Sequence, residues 1–237
     1  MVGRIGGMMS FNIAIDGPSG VGKSTIAKLM AKKLSFVYID TGAMFRGLAV
    51  YFLENGLDIN DEKAICDAVR DARETISYVD GEQHVFVNDV DVTGKLRTED
   101  VSKAASVTSQ YQPVRTKLLE LQREMAKTQN VIMDGRDIGT VVLPDAQLKI
   151  FMTAKPEIQA QRRYLQLEKS GKLGDATYES ILADIKERDY RDSHRENAPL
   201  KKADDAIPVD TSDLGIEEVA ALIEKEYEKI AGDAQNA

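Results

Sequence analysis

Five short apolar runs punctuate the chain: FNIAID at 11–16, FVYID at 36–40, NVIMD at 130–134, LKIFMTA at 148–154 and DAIPVD at 205–210. Each is rich in Ile, Val or Phe and closes at or beside Asp, Gly or Thr, the habit of strands buried on both faces of a parallel sheet. Between most of them, apolar positions recur at helical spacing over 23–34, 43–54, 155–169, 177–195 and 215–231. Strands alternating with helices predict an α/β domain whose ligands lie beyond the carboxyl ends of its strands.

The segment 58–106 breaks the alternation. DEKAICDAVRDA has a helical pattern, and TISYVDGEQHVFVNDVDVTG reads as a hairpin turning at Asp80-Gly81, with alternating Val85, Val87 and Val90. A small sheet-bearing insertion is the expected result, with His84 as a structural strand residue. The stretch 168–180, EKSGKLGDATYES, carries Gly171 and Gly174 and is expected to be a mobile loop between two helices. The helix after it has an unusual face. Tyr178, Ile181, Leu182 and Ile185 form an apolar stripe, and the same steps continue onto Arg188, Asp189, Asp192 and Arg195. That face is expected to begin on the core and end over a cleft.

Composition narrows the chemistry. With 237 residues there is room for one substantial domain and its insertion. A net charge of -8 argues against nucleic-acid binding, so any anion site must be assembled from locally gathered arginines. Cys66 is the only cysteine, which excludes a disulfide or a cysteine metal site within the chain, and it is expected in the core. The first ten residues lack the roughly 7–15-residue apolar segment of a secretory signal. No apolar run approaches the ~20 residues needed to span a bilayer. A soluble cytoplasmic protein without membrane partners is expected, with Met8 and Met9 as an alternative start.

GPSGVGKS, Gly17 to Ser24, fits G-x-x-x-x-G-K-[ST] without mismatch, follows the first strand and opens the first helix. Glycines let backbone N–H groups converge on phosphate oxygens, and the helix N-terminus adds partial positive charge. Lys23 is expected to reach the β- and γ-phosphates and Ser24 to ligate Mg²⁺. This chain is expected to bind a nucleoside triphosphate.

Switch, motor and kinase all use such a loop. No Asn-Lys-x-Asp guanine reader and no Leu-Ser-Gly-Gly signature is present. Instead NVIMDGRD places Asp134, Gly135, Arg136 and Asp137 at the sheet edge, and YIDTGAMFRG places Asp40, Thr41 and Gly42 there, with Arg46 one turn into a helix. Arg46 and Arg136 are expected to converge on one anion, and Asp40 either to belong to that ligand edge or to serve as an N-cap or turn residue.

IDGPSGVGKST, DTGAMFR, RTEDVSKAAS, PVRTKLLELQR, DGRDIGTVVLPDA, KIFMTA and IKERDYRDSHRENAPL together resemble the bacterial cytidylate kinases, from about Asn12 to Ile230. The resemblance implies an α/β, three-layer P-loop NTPase fold with a five-stranded parallel sheet. It further implies a core at 11–57 and 107–237, a monophosphate-binding insertion at 58–106 and a short lid at 168–180. It implies transfer of the γ-phosphoryl group of ATP to CMP or dCMP, with Mg²⁺, in a monomer. By motif, Gly17, Pro18, Ser19, Gly20, Val21, Gly22, Lys23, Ser24 and Thr25 would hold the ATP phosphates. Thr41, Phe45 and Arg46 would belong to the monophosphate site, and Ser106, Arg115 and Asp137 would read cytosine. Arg136 would bind phosphate, and Arg188 and Asp192, with Arg195 alongside, would contact ribose and phosphate. Lys23, Arg136, Arg188 and Asp192 are the expected catalytic group.

Two departures stand out. Phe45 replaces a frequent Tyr, so no hydroxyl contact arises there, and GKST leaves Mg²⁺ ligation open between Ser24 and Thr25. Arg162 and Arg163, on the helix leading into the lid, are expected either to clamp ATP or to form a solvated face. Another small-molecule kinase on the same scaffold, for UMP or a sugar acid, and a regulatory nucleotide switch remain the rival readings.

Overall fold

The computed structural model describes residues 10–235; Met8 and Met9 lie outside them. Its centre is a five-stranded parallel sheet built from β1 (Asn12–Asp16), β2 (Val37–Asp40), β6 (Val131–Gly135), β7 (Leu148–Thr153) and β8 (Ile207–Asp210), in the order β2-β6-β1-β7-β8. Alternate residues feed opposite faces. Ile13, Ile15 and Ile132 pack beneath α1 (Lys23–Leu34) and α8 (Ile216–Gln235), beside Ile26, Met30 and Ile223. Ala14, Val131 and Met133 pack beneath α2 (Thr41–Glu54), beside Met44 and Leu48. Burial on both faces is why these strands are uninterrupted apolar runs. In register, Asp16 stands opposite Gly135 and Asp40 opposite Asp134, so the carboxyl ends of β1, β2 and β6 form one edge.

The insertion contains α3 (Glu62–Asp71) and an antiparallel sheet of β3 (Glu74–Val79), β4 (Glu82–Val87) and β5 (Val90–Asp91). Asp80 and Gly81 both have positive φ, 52° and 80°, the two-residue turn whose twist suits a hairpin. Val85 and Val87 are buried as expected. Val90 is 55% exposed, because Asn88 and Asp89 turn the chain and end the alternation. Cys66 is half-buried rather than core; the inward positions of α3 are Ile65 and Val69. His84 pairs through Nδ1 with Asp91 Oδ2 at 3.0 Å, a contact within the small sheet. Three contacts seat the hairpin on the core: Gln83 Oε1 accepts from the Asp40 N–H at 2.8 Å, Tyr78 donates to the Tyr38 carbonyl at 2.9 Å, and Lys28 meets Glu82 at 2.5 Å.

Two helices escape the apolar pattern. In α4 (Glu99–Thr108), which crosses the expected boundary at 106, the inward face carries Val101 and then the small or polar Ala104, Ala105, Ser106 and Thr108. In α5 (Gln112–Thr128), Val114 and Leu118 begin a stripe that continues through Gln122 and Ala126, with Arg115 also turned inward. A single π-helical turn follows β6 at Ile138–Val142, a geometry frequent at functional sites. Beyond the sheet, α6 (Pro156–Lys169) and α7 (Tyr178–His194) pack through Ala160, Ile181 and Ile185. α7 starts at a Thr177–Ser180 capping box. Among the described residues, no helix is long and apolar enough to cross a membrane.

Candidate active site

The phosphate loop is pressed against the sheet. A Cβ on Gly17 would fall 2.1 Å from the Met152 carbonyl oxygen, and Gly22 sits at φ 94° as the N-cap of α1. No side chain caps α1, so its first amides are free to meet a ligand. Lys23 is buried and donates to the Pro18 carbonyl at 2.5 Å; burial and then the Arg136 guanidinium push its amine below the usual lysine range. The Ser24 hydroxyl donates to Asp134 Oδ2 at 2.7 Å, and the Tyr38 hydroxyl donates to Oδ1 of the same carboxylate at 3.0 Å. Burial, followed by the charge of Asp40, raises Asp134 above the usual carboxylate range. Ser24 and Thr25 are both exposed, and the Ser24 hydroxyl is the one bonded to the β6 carboxylate.

Beside this loop lies an arginine cluster. Asp40 caps α2, accepting from the Ala43 N–H at 2.7 Å, and pairs with Arg46 Nη2 at 3.0 Å. Arg136 donates through Nε to Asp192 Oδ2 and through Nη2 to Ser19 Oγ, each at 2.9 Å. Arg188 comes from α7 on the face that begins with Ile181 and Ile185. Burial, then the neighbouring charge of Arg136, brings its pKa down to about 10, and Arg46 adds to the repulsion. Nε of Arg46 and Nε of Arg188 are buried without a hydrogen-bond partner among the described residues. Although burial pushes Asp192 upward, Arg136, Arg188 and Arg195 hold it below the usual carboxylate range. Mutually repelling guanidiniums with unused donors make a site for a polyanion.

A cavity of about 140 Å³ adjoins the cluster, lined by Thr41, Phe45, Arg115, Gln122 and Asp137 among others. Asp137 accepts from Arg115 Nη2 on one carboxylate oxygen and from Arg195 Nη2, at 3.2 Å, on the other. The Arg115 guanidinium lies 5.5 Å from the Phe45 ring centroid and donates to the Ser109 carbonyl. Thr41 donates to the Asp134 carbonyl at 2.7 Å, locking α2 to β6. Ser106 is buried but does not line this cavity; its hydroxyl accepts from Arg191 Nη1 at 3.1 Å. Arg162 is joined to the phosphate loop through Thr211. It is spent on Thr211, donating to Oγ1 at 3.0 Å and to the carbonyl at 2.5 Å, and Thr211 in turn donates to the Val21 carbonyl. Arg163 donates to Gln166 Oε1 on its own helix at 3.0 Å.

Four residues without an expected role stand in the site. Asp16 accepts from the Ile138 and Gly139 N–H groups at 2.8 and 2.7 Å, fixing the chain just after Asp137. Tyr38 orients Asp134. Asp189 accepts from the Ser19 N–H, and Arg191 holds Ser106. Asp189 alone had a sequence signal, its place on the inward stripe of α7.

The family model described as cytidylate kinase matches residues 13–229. A cytidylate kinase of Caldicellulosiruptor bescii is 47% identical over 223 residues, covering 94% of this chain and 98% of the relative. One from Lactobacillus johnsonii is 48% identical over 217 residues, covering 92% and 94%. One from Bacteroides thetaiotaomicron is 44% identical over 228 residues, covering 94% and 99%. A backbone phosphate cradle beside an arginine cluster, matched along nearly its whole length, places this chain in the cytidylate kinase family.

Proposed function

We propose that the protein transfers the γ-phosphoryl group of ATP to CMP or dCMP, giving ADP and CDP or dCDP. The observation that carries this reading is the adjacency of two anion sites at one sheet edge. The open amides of the loop before α1 would take the triphosphate, and the unpartnered Nε donors of Arg46 and Arg188, with Arg136 between, would take the acceptor phosphate. The neighbouring cavity, with Asp137 at its wall, would take the base.

The acceptor is a phosphate oxygen already ionised at neutral pH, its second pKa being about 6, so no general base is needed. Catalysis then reduces to in-line positioning and neutralisation of charge on the transferring group, which Lys23, Arg136 and Arg188 are placed to supply. Ser24 Oγ and the Asp134 carboxylate are hard oxygen donors 2.7 Å apart, a pair suited to Mg²⁺. When bound, that ion would supply charge neutralisation on the β- and γ-phosphates. The carboxylate of Asp137 would accept from the exocyclic amine of cytosine and repel the carbonyl of uracil. The 168–180 segment and the insertion act as closing elements that keep water from the triphosphate.

ADP release measured with CMP, dCMP, UMP, AMP and GMP in turn tests the reading. Rapid turnover confined to CMP and dCMP is expected. Slow hydrolysis indifferent to added CMP would overturn it.

A further inference from the structure

Ser19, at the tip of the phosphate loop, is held twice. Its N–H donates to Asp189 Oδ1 at 2.9 Å, and its hydroxyl accepts from Arg136 Nη2 at 2.9 Å. Arg136 Nε donates to Asp192 Oδ2, also at 2.9 Å, and Asp192 stands one turn beyond Asp189 on α7. These contacts close a ring: Ser19, Asp189, one turn of α7, Asp192, Arg136 and back to Ser19. The ring joins three pieces with separate duties. The loop belongs to the triphosphate site, Arg136 stands at the end of β6, and α7 supplies Arg188 and Asp192 to the acceptor site.

From this closure we infer that Asp189 is a positioning residue that couples the two substrate sites, so that occupancy of the phosphate loop sets the affinity of the arginine cluster. The inference rests on the reading that the loop takes ATP and the cluster takes the acceptor phosphate. A loop reshaped by a triphosphate moves Ser19, and Asp189 passes that displacement to α7 and hence to Arg188 and Asp192. The far end of α7 is tied to α6: Ile181 and Ile185 pack on Ala160, and Lys186 and the Tyr178 hydroxyl reach Glu157. At the near end, the contacts from α7 to the loop and its floor run through Asp189, whose second oxygen faces Gln159 Nε2 at 3.4 Å. Gln159 is buried, and its Oε1 has no partner among the described residues. Gly20 rests directly on it, with a would-be Cβ 3.2 Å from Gln159 Cβ. An asparagine at 189 therefore keeps an acceptor for the Ser19 N–H and, with the Gln159 amide turned over, donates to Gln159 Oε1, whereas alanine leaves the Ser19 N–H and Gln159 Nε2 without their acceptor.

The test is calorimetric titration of CMP into the full chain, with and without a non-hydrolysable ATP analogue, so coupling is read as a ratio of dissociation constants. The wild type is expected to bind CMP at least about fivefold more tightly with the analogue present. In Asp189→Ala the ratio should fall below about twofold, and Asp189→Asn should restore most of it. A role confined to stability would lower the melting temperature and leave the ratio of the folded protein intact. Wild-type coupling in Asp189→Ala overturns the proposal, as does a wild type with no coupling. Should Asp189→Ala not fold, Ser19→Ala cuts the same ring at its Arg136 arm; a reduced ratio supports the proposal and an unchanged one overturns it. ADP release with CMP on the same wild-type sample stands or falls separately, so the failure of either idea is recognisable.

Discussion

Arg136 donates through Nε to Asp192 Oδ2 at 2.9 Å, across the cleft between the end of β6 and helix α7. The pair is largely buried, and the bond fixes the plane of the guanidinium while Nη2 holds Ser19. Arg136→Ala should therefore lower turnover and weaken CMP binding together, with kcat/KM falling by about 10²-fold or more, the scale of losing one preorganised donor to developing charge. Lysine should not rescue it, since its ammonium lacks the rigid planar fork that presents Nε to Asp192 and Nη2 to Ser19 side by side. Steady-state kinetics with a wild-type profile would remove Arg136 from the acceptor site.

Asp137 answers to two guanidiniums, and that complicates the obvious substitution. Arg115 and Arg195 are both buried, and alanine at 137 would strand them without their counter-charge, at a cost of about 3–5 kcal/mol. Asp137→Asn is the cleaner variant. It keeps one acceptor oxygen and presents an amide donor where a carboxylate stood, which suits a uracil carbonyl better than a cytosine amine. The ratio of kcat/KM for CMP over UMP should fall by at least about tenfold. Undiminished discrimination would place base reading elsewhere in the cavity.

Strands β1, β6 and β7 were legible because burial on both faces leaves no polar alternation to misread, and the phosphate loop because its chemistry is local to eight consecutive residues. The stripe on α7 likewise held its course: Ile181, Ile185, Asp192 and Arg195 are all buried, with Arg188 and Asp189 between them partly so. What stayed hidden depends on tertiary placement. α5 turns Arg115 and Gln122 inward, so its seam has no continuous apolar signal. Asp16 acquires its role only when the sheet brings Ile138 to it, 122 positions away. Ser106 meets Arg191 rather than the cavity because of how α4 faces α7, which no local pattern encodes.

Asp16 offers a pH test of the sheet edge. Burial lifts its pKa to about 6, and the N–H groups of Gly139 and Ile138 offset only part of that. The unfolded chain releases this proton near the ordinary value of 3.8, so between 3.8 and about 6 the folded state binds more protons. Stability contributed by this group therefore falls as pH rises across that window, by about 3 kcal/mol in all, and is level above it. Asp16→Asn removes the titration and, through the lost second acceptor, loosens the segment after Asp137. Melting curves from pH 4 to 7 should show a wild-type-minus-variant difference that shifts below about pH 6 and is flat above. A difference constant throughout would mean Asp16 titrates alike in both states.

Glu74 carries another buried carboxyl, with no partner among the described residues for either oxygen. It lies at the start of β3 against α2, where Gly47 makes room: a Cβ there would stand 2.9 Å from Glu74 Oε2 and 2.6 Å from Val85 Cγ1. Burial alone drives its pKa well above the usual 4.5. The unfolded chain ionises near that value while the folded chain keeps the proton, so stability declines as pH rises through 4.5 until the folded pKa is passed. Glu74→Met keeps the length and flexibility of the side chain and removes both the stranded oxygens and the titration. Relief of an unsatisfied buried polar group is worth about 1–3 kcal/mol, and in a chain of this size each kcal/mol moves the melting temperature by about 2–4 °C. Calorimetric melts should show the variant gaining stability over wild type, with a larger gain at pH 8 than at pH 5. A gain equal at both pH values would show that Glu74 does not titrate on unfolding, and a loss at pH 8 would mean the carboxyl has a partner there.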